Sequence, residues 1–203
     1  DDVGVDFALV GERFGDGVKD IVEGLEILKT IKVVGYRSTD KVDLLRKLFL
    51  VMAKDIRVLV VFLAVKVVQM KLLEKMPPDC RKAFASEVFE IFVPIASRLG
   101  IYRFKTILED LSFKYMYPEE YAHISEQMNR LGQQRKEYIN EVCSMLESFY
   151  SENGFGEVSV SGRLKSVYSI HNKMKAKGLS TIDGIYDIFA VRVVIPSEYK
   201  VSG

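Results

Sequence analysis

Between Tyr150 and Val158 the spacing of apolar residues in this chain changes from three-and-four to two, and that change limits what the chain can fold into. Before it, the pattern is that of helices with one buried side. Val18, Ile21, Val22, Leu25 and Leu28 form such a stripe between Gly15 and Ile31. Leu44, Leu45, Leu48, Val51 and Met52 form another, preceded by Ser38-Thr39-Asp40, residue types that cap helix starts. Asp55 to Leu73 continues in helical spacing, and Val58 to Val65 inside it reads as a buried helix. That run is bounded by Arg57 and Lys66, far short of the ~20 residues a bilayer requires. Met76-Pro77-Pro78-Asp79 is a stop and restart. Arg81 to Leu99 gathers Phe84, Val88, Phe89, Phe92 and Ile95, with a kink expected at Pro94 and an end at Gly100. Tyr102 to Phe113 follows, and Pro118 opens a short break. The longest helix is expected over Tyr121 to Tyr150, with Met128, Leu131, Tyr138, Val142, Met145 and Phe149 inward and Gly154 and Gly156 ending it.

After the change, Glu157 to Ser161 alternates as a strand does, Gly162 reads as a turn, and Leu164 to Lys177 returns to helical spacing with Gly178 as its C′ residue. Tyr186 to Ile195 is a second strand, with Phe189, Val191, Val193 and Ile195 on one face. The expected architecture is a mostly α N-terminal part, a helical bundle, leading into the first strand–helix–strand of an α/β sheet. The crossover length suits parallel strands, adjacent or one removed.

Composition narrows the function classes. Lys and Arg number 29 against 28 Asp and Glu, so any anion site is a local cluster and a globally basic nucleic-acid coat is excluded. A 48% hydrophobic chain of 203 residues makes a real core, in one large domain or two small ones. Cys80 and Cys143 have no metal-ligand spacing and fit a reduced, cytoplasmic protein. The chain opens on Asp1-Asp2 without a Met or a signal pattern and stops just past a strand, so both ends read as cuts in a longer protein.

The local cluster lies between Val158 and Ile182. That stretch has Arg163, Lys165, Lys173, Lys175 and Lys177 and no acidic residue. On one continuous helix Lys165, Ser169 and Lys173 share a face, and Arg163 stands beside the helix N-terminus, where the dipole favours phosphate. Three readings fit: a solvated basic face, a nucleic-acid surface, and a cradle for a triphosphate. Few surface aromatics and non-basic flanks weaken the second. Asp187, at the mouth of the next strand, is either a turn aspartate or a Mg²⁺ ligand, since Mg²⁺ takes one or two carboxylates with phosphate oxygens. Strand parity places Asp187 and Arg192 on opposite faces. His123 and His171 lack a partner at ligand spacing and read as structural or exposed.

These residues carry a resemblance. Ser161-Gly-Arg-Leu-Lys-Ser-Val-Tyr-Ser-Ile-His-Asn-Lys-Met-Lys175 followed by Ile185-Tyr-Asp-Ile-Phe-Ala-Val-Arg-Val193 resembles the start of the synthetase domain of RelA/SpoT homologues, the long-form (p)ppGpp alarmone enzymes. Ile95 to Ile101 and Leu108 to Tyr115 resemble the helices joining their hydrolase and synthetase domains. Glu12 to Leu28 and Ala53 to Val58 resemble their HD-type hydrolase domain. The resemblance implies a division into 1–78 (HD-type), 79–118 (linking helices) and 119–203 (start of a nucleotidyltransferase-like, mixed-sheet synthetase domain). It implies transfer of the β,γ-pyrophosphate of ATP to the 3′-hydroxyl of GDP or GTP, with Mg²⁺. Arg163 and Arg192 are then expected to flank the adenine, Lys165, Ser169 and Lys173 to hold the phosphates, and Asp187 to bind Mg²⁺. The family's guanine-stacking tyrosine loop and later catalytic glutamate are expected beyond Gly203, so this stretch alone is expected not to turn over. No membrane or sequence-specific nucleic-acid partner is implied, and ribosome docking is left to regions outside this sequence.

The hydrolase half departs from the family pattern. Its Ala-Asp-Arg-Leu-His-Asn-Met motif stands here as Ala64-Val-Lys-Val-Val-Gln-Met70. Val65 replaces the metal-binding aspartate, and Val68 and Gln69 replace the following His and Asn. Valine offers a hard cation no donor atom. Asp1-Asp2 resembles the tail of His-Asp-x-x-Glu-Asp, with Asp1 in place of Glu. The expected parent is a synthetase whose hydrolase metal site is lost; a bifunctional enzyme and a nucleotide-sensing pseudoenzyme are the alternatives.

Overall fold

The computed structural model describes residues 5–29, 48, 50, 54–155 and 158–195. The described residues are mostly helical and hold one two-stranded sheet, within residues 159–194. The expected helix over residues 41–52 lies largely outside the described residues, as do Gly156 and Glu157. The chain divides into two compact units, residues 1–77 with 90–108 and residues 78–89 with 109–203.

In the first unit α1 spans Phe7–Phe14, α2 Asp16–Lys29 and α3 Ile56–Lys71. Asp6 caps α1, its carboxylate accepting from the amides of Ala8 and Leu9 at 3.0 and 3.2 Å. Asp55 caps α3 the same way, accepting from Arg57 N at 2.8 Å. α2 lies close to α3, since a Cβ on Gly24 would fall 2.7 Å from Val58 Cγ2. The run expected to be wholly buried is buried on one side only. Val58, Leu59, Phe62 and Leu63 are in the core, while Val60, Val61 and Val65 are exposed. An unbroken apolar run has no period to reveal its outer face. Among the described residues no helix is long and apolar enough to cross a membrane.

α4 spans Pro78–Glu87, a π-helical turn covers Val88–Phe92, and α5 is Val93–Arg98. The kink expected at Pro94 takes this form because proline has no N–H to return to the Glu90 carbonyl, so the helix widens just before it. α6 is Tyr102–Met116 and α7 is Pro118–Glu152, starting directly at Pro118 rather than after a longer break.

The second unit buries Phe113, Ile124, Met128, Val167, Ile170, Met174, Ile182, Ile185 and Ile188 together. β1 spans Ser159–Leu164, α8 Val167–Lys177 and β2 Phe189–Val194. Gly178 ends α8 in the left-handed conformation (φ 62°), and Leu179 N reaches back to the Met174 carbonyl at 2.9 Å. β1 and β2 pair antiparallel, with Gly162 opposite Val191 and Leu164 opposite Phe189. This corrects the parallel crossover. α8 carries the chain away from the end of β1, and Leu179 to Ile188 brings it back to that same end. The buried Ile182, Ile185 and Ile188 pin that return.

Two further expectations change. Gly162 lies inside β1 rather than in a turn, with its backbone against α7; a Cβ there would sit 2.2 Å from Ile139 Cγ2. Consequently the sheet packs on the side of α7 that carries Ile139 and Cys143, and Val160 N donates to Glu147 on the same helix at 3.3 Å. Tyr138, Met145 and Phe149, expected inward, are exposed. Ile139, Cys143, Leu146 and Tyr150 repeat the spacing of Tyr138, Val142, Met145 and Phe149 one residue later, so periodicity alone favours neither stripe.

Candidate functional site

α8 starts at Val167, so Lys165 does not share the expected helix face with Ser169 and Lys173. It lies in the two-residue link after β1, and its own amide extends the ladder by donating to the Ile188 carbonyl at 2.9 Å. The convergence expected of the helix face is nevertheless present. Lys165 Nζ donates to Asp187 Oδ2 at 2.6 Å, and Lys173 Nζ, from the second turn of α8, donates to the same oxygen. Asp187 precedes β2, so strand parity does not govern its direction. Its side chain is 55% exposed.

The hydrogen bond from Lys165, and then that from Lys173, holds the Asp187 carboxyl well below the usual carboxylate range, and Asp187 in turn raises Lys173. A depressed folded pKa means the cluster's contribution to stability is present above the unfolded value of about 4 and lost as pH falls through the folded one. Solvent keeps that contribution small. Asp187 is thus ionised throughout the neutral range.

The helix N-terminus is not the anion seat it resembled. Asp110 of α6 already occupies it, Oδ2 accepting from Val167 N at 3.2 Å and Oδ1 from Tyr168 N at 2.8 Å. Ser166, the N-cap, accepts from Ser169 N at 3.3 Å, and the Ser166 and Ser169 hydroxyls are 2.8 Å apart. With these amides taken, an anion here must be held by side chains. Sequence reading missed Asp110 because it lies 57 and 58 residues from the amides it caps. Burial pushes its carboxyl up, against the lowering effect of the Tyr168 and Val167 amides. The folded state therefore binds that proton more tightly, and this contribution falls as pH rises from the ordinary carboxylate range to the raised value. Asp110→Ala leaves two amides uncapped and is expected to cost about 1–2 kcal/mol of stability, read as a lower urea midpoint. An unchanged midpoint contradicts the capping role.

The antiparallel register brings Arg163 and Arg192 to one face. Arg163 pairs with Ala190 and Ser161 with Arg192, so the two arginines are diagonal neighbours, typically about 7–8 Å apart at Cα. They point away from α7, since the other face carries Gly162 and Phe189, and Phe189 meets Arg135 of α7 at 6.0 Å. Below the cluster, Lys173, Ala176, Lys177, Tyr186 and Asp187 line an open depression of about 440 Å³. Tyr186, not singled out in the sequence, is 92% exposed on its rim.

The two histidines and the hydrolase-motif positions lie elsewhere. His171 Nδ1 is 3.4 Å from Glu120 Oε2, a carboxylate partner on another helix that sequence spacing did not reveal. His123 Nε2 is 2.6 Å from Gln127 Nε2. In the first unit Val65 and Val68 of α3 are 42% and 54% exposed, and Gln69 is exposed with them.

Known proteins resemble the chain along most of its length. The HD domain family matches residues 2–102, and the family described as a region found in RelA / SpoT proteins matches residues 162–202. The chain is 38% identical to a GTP pyrophosphokinase of Myxococcus xanthus, over 92% of its own length and 25% of that protein's. It is 36% identical to the bifunctional (p)ppGpp synthase/hydrolase SpoT of Escherichia coli K12, over 95% of its length and 27% of that protein's. It is 37% identical to a probable GTP diphosphokinase RSH3, chloroplastic, of Oryza sativa, over 98% and 28%. The chain thus spans about a quarter of the length of the curated relatives it matches. With an HD-type domain followed by a RelA/SpoT region, it belongs to the RelA/SpoT family.

Proposed function

We propose that the protein containing this chain is an ATP:GDP/GTP 3′-pyrophosphotransferase, a (p)ppGpp synthetase, with its hydrolase half catalytically silent. The observation that carries the reading is the convergence of Lys165 and Lys173 on Asp187. Two cations on an acid at the rim of a 440 Å³ depression make a site poised to exchange an internal partner for a polyphosphate. On this reading the two strands open a nucleotidyltransferase-like α/β domain.

Each residue then has a task. Lys165 and Lys173 neutralise phosphate oxygens of ATP, and the Ser169 hydroxyl, beside Ser166, offers a further hydrogen bond. Arg163 and Arg192, on one sheet face, flank the adenine, guanidinium planes being suited to stacking. Asp187 fits the role of Mg²⁺ ligand: it is an exposed hard-oxygen donor, and both ammonium groups use Oδ2, which leaves Oδ1 outside the pairs. When bound there, Mg²⁺ neutralises charge on the transferred group. The transfer joins the 3′-hydroxyl oxygen of GDP or GTP to the β-phosphorus of ATP and releases AMP, so the protein's part is positioning and charge compensation.

The silent hydrolase rests on Val65, Val68 and Gln69 standing where the family motif has Asp, His and Asn. Restoring one ligand is not enough: in the full-length protein Val65→Asp is expected to leave (p)ppGpp breakdown with Mn²⁺ at background. Val65 is exposed, so the substitution is tolerated by the fold and the assay reads chemistry alone. The second reading, a bifunctional enzyme, is favoured by relatives such as SpoT whose names include hydrolase. Stoichiometric Mn²⁺ uptake with (p)ppGpp turnover by the unmodified full-length protein would establish it and overturn the silent-hydrolase reading.

A further inference from the structure

α8 has a second functional side. Residues 171 and 175 each lie two positions from Lys173, about 200° around the helix from it. There, within the second unit, the structure opens a cavity of about 570 Å³, in the range of small-molecule sites. Its walls are aromatic. Phe113, at the floor, meets the rings of His171, Tyr168 and Tyr117 at 4.4, 5.7 and 5.8 Å, and Phe89 meets Tyr168 edge-on at 5.4 Å. None of these rings belongs to the phosphate cluster.

The polar groups are as informative as the rings. Glu120 and Asn172 supply a carboxylate and an amide at the open side, and the Glu120 contact orients the His171 ring. Lys175 adds an exposed ammonium. A lipid tail uses neither a carboxylate nor an amide. A metal ion is not favoured, because no group of three or more His, Cys, Asp or Glu among the described residues is placed to hold one. Aromatic walls, hydrogen-bonding groups of both polarities at the edge and one cation at the rim together describe a planar heteroaromatic base that carries a phosphate.

We propose that this cavity binds a purine nucleoside phosphate, its base against Tyr117 and Tyr168 and its phosphate toward Lys175, at a site separate from the Lys165–Asp187–Lys173 cluster. The inference does not rest on the pyrophosphotransferase reading. Calorimetric titration of the full chain with AMP and with GMP, without Mg²⁺, tests it. At least one is expected to bind with a dissociation constant of about 1 mM or tighter. Tyr117→Ala is expected to weaken that binding roughly tenfold and Tyr117→Phe to keep it, since stacking needs the ring and not the hydroxyl. Lys175→Ala is expected to weaken AMP or GMP several-fold and the parent nucleoside hardly at all. No heat with either nucleotide overturns the proposal. So does binding kept in Tyr117→Ala, because that places the nucleotide outside the cavity.

Discussion

Lys165→Ala or Asp187→Ala, made in the full-length protein, is expected to lower pyrophosphate transfer from ATP by roughly a hundredfold to a thousandfold, the scale on which a preorganised charge contributes to such a step. The two changes act differently. Lys165→Ala removes one of two cations and leaves Lys173 alone with Asp187, so charge compensation falls while the carboxylate survives. Asp187→Ala leaves both cations and removes the oxygen donor. Neither side chain is part of the buried core, and stability is expected to stay within about 0.5 kcal/mol, so lost rate is not lost fold. AMP release and labelled-phosphate transfer to GDP or GTP read the effect directly. Wild-type rates in either variant defeat the assignment.

Gly162→Ala is expected to destabilise the second unit by about 1–3 kcal/mol, the range for overfilling a packed contact. The new Cβ would lie 2.2 Å from Ile139 Cγ2 and 3.6 Å from Cys143 Sγ. Ile139 is β-branched and sits on α7, so its methyl has little room to rotate away. The strand must then lift from the helix, and Arg163, the next residue, moves with it relative to Arg192. A functional defect is expected beside the stability defect. Ile139→Ala should relieve the overlap, making the double variant more stable than the sum of the single changes predicts. Urea denaturation of the four proteins measures this, and equal midpoints for the parent and Gly162→Ala would refute the close-packing account.

Much of this was legible where one-sided apolar spacing met clear end signals. Gly178 after α8 is such a signal, and it acts as its chemistry suggests. The alternation of Phe189, Val191 and Val193 placed them on one face of β2, the face on which Phe189 meets Arg135 of α7, although Val191 there is exposed. Strand direction was not legible, because Ile182, Ile185 and Ile188 are spaced by three like a helix. They instead belong to a short 3₁₀ turn and the irregular return that leads back to β2. The absence of acidic residues between Val158 and Ile182 marked Lys165 and Lys173, and the strand mouth marked Asp187. What no local pattern held was contact at a distance: Asp110 on the amides of α8, Glu120 on His171, and the shared face of Arg163 and Arg192, which only the antiparallel register defines.

The affinity of the full-length protein for ATP with Mg²⁺, measured by calorimetry beside Lys173→Ala, decides whether the cluster holds a nucleotide. ATP is expected to bind the variant roughly tenfold or more weakly, the size of a charge-assisted phosphate contact. Equal affinities would mean that Lys173 and its partner Asp187 do not face a nucleotide, and the site described here would be a surface ion pair.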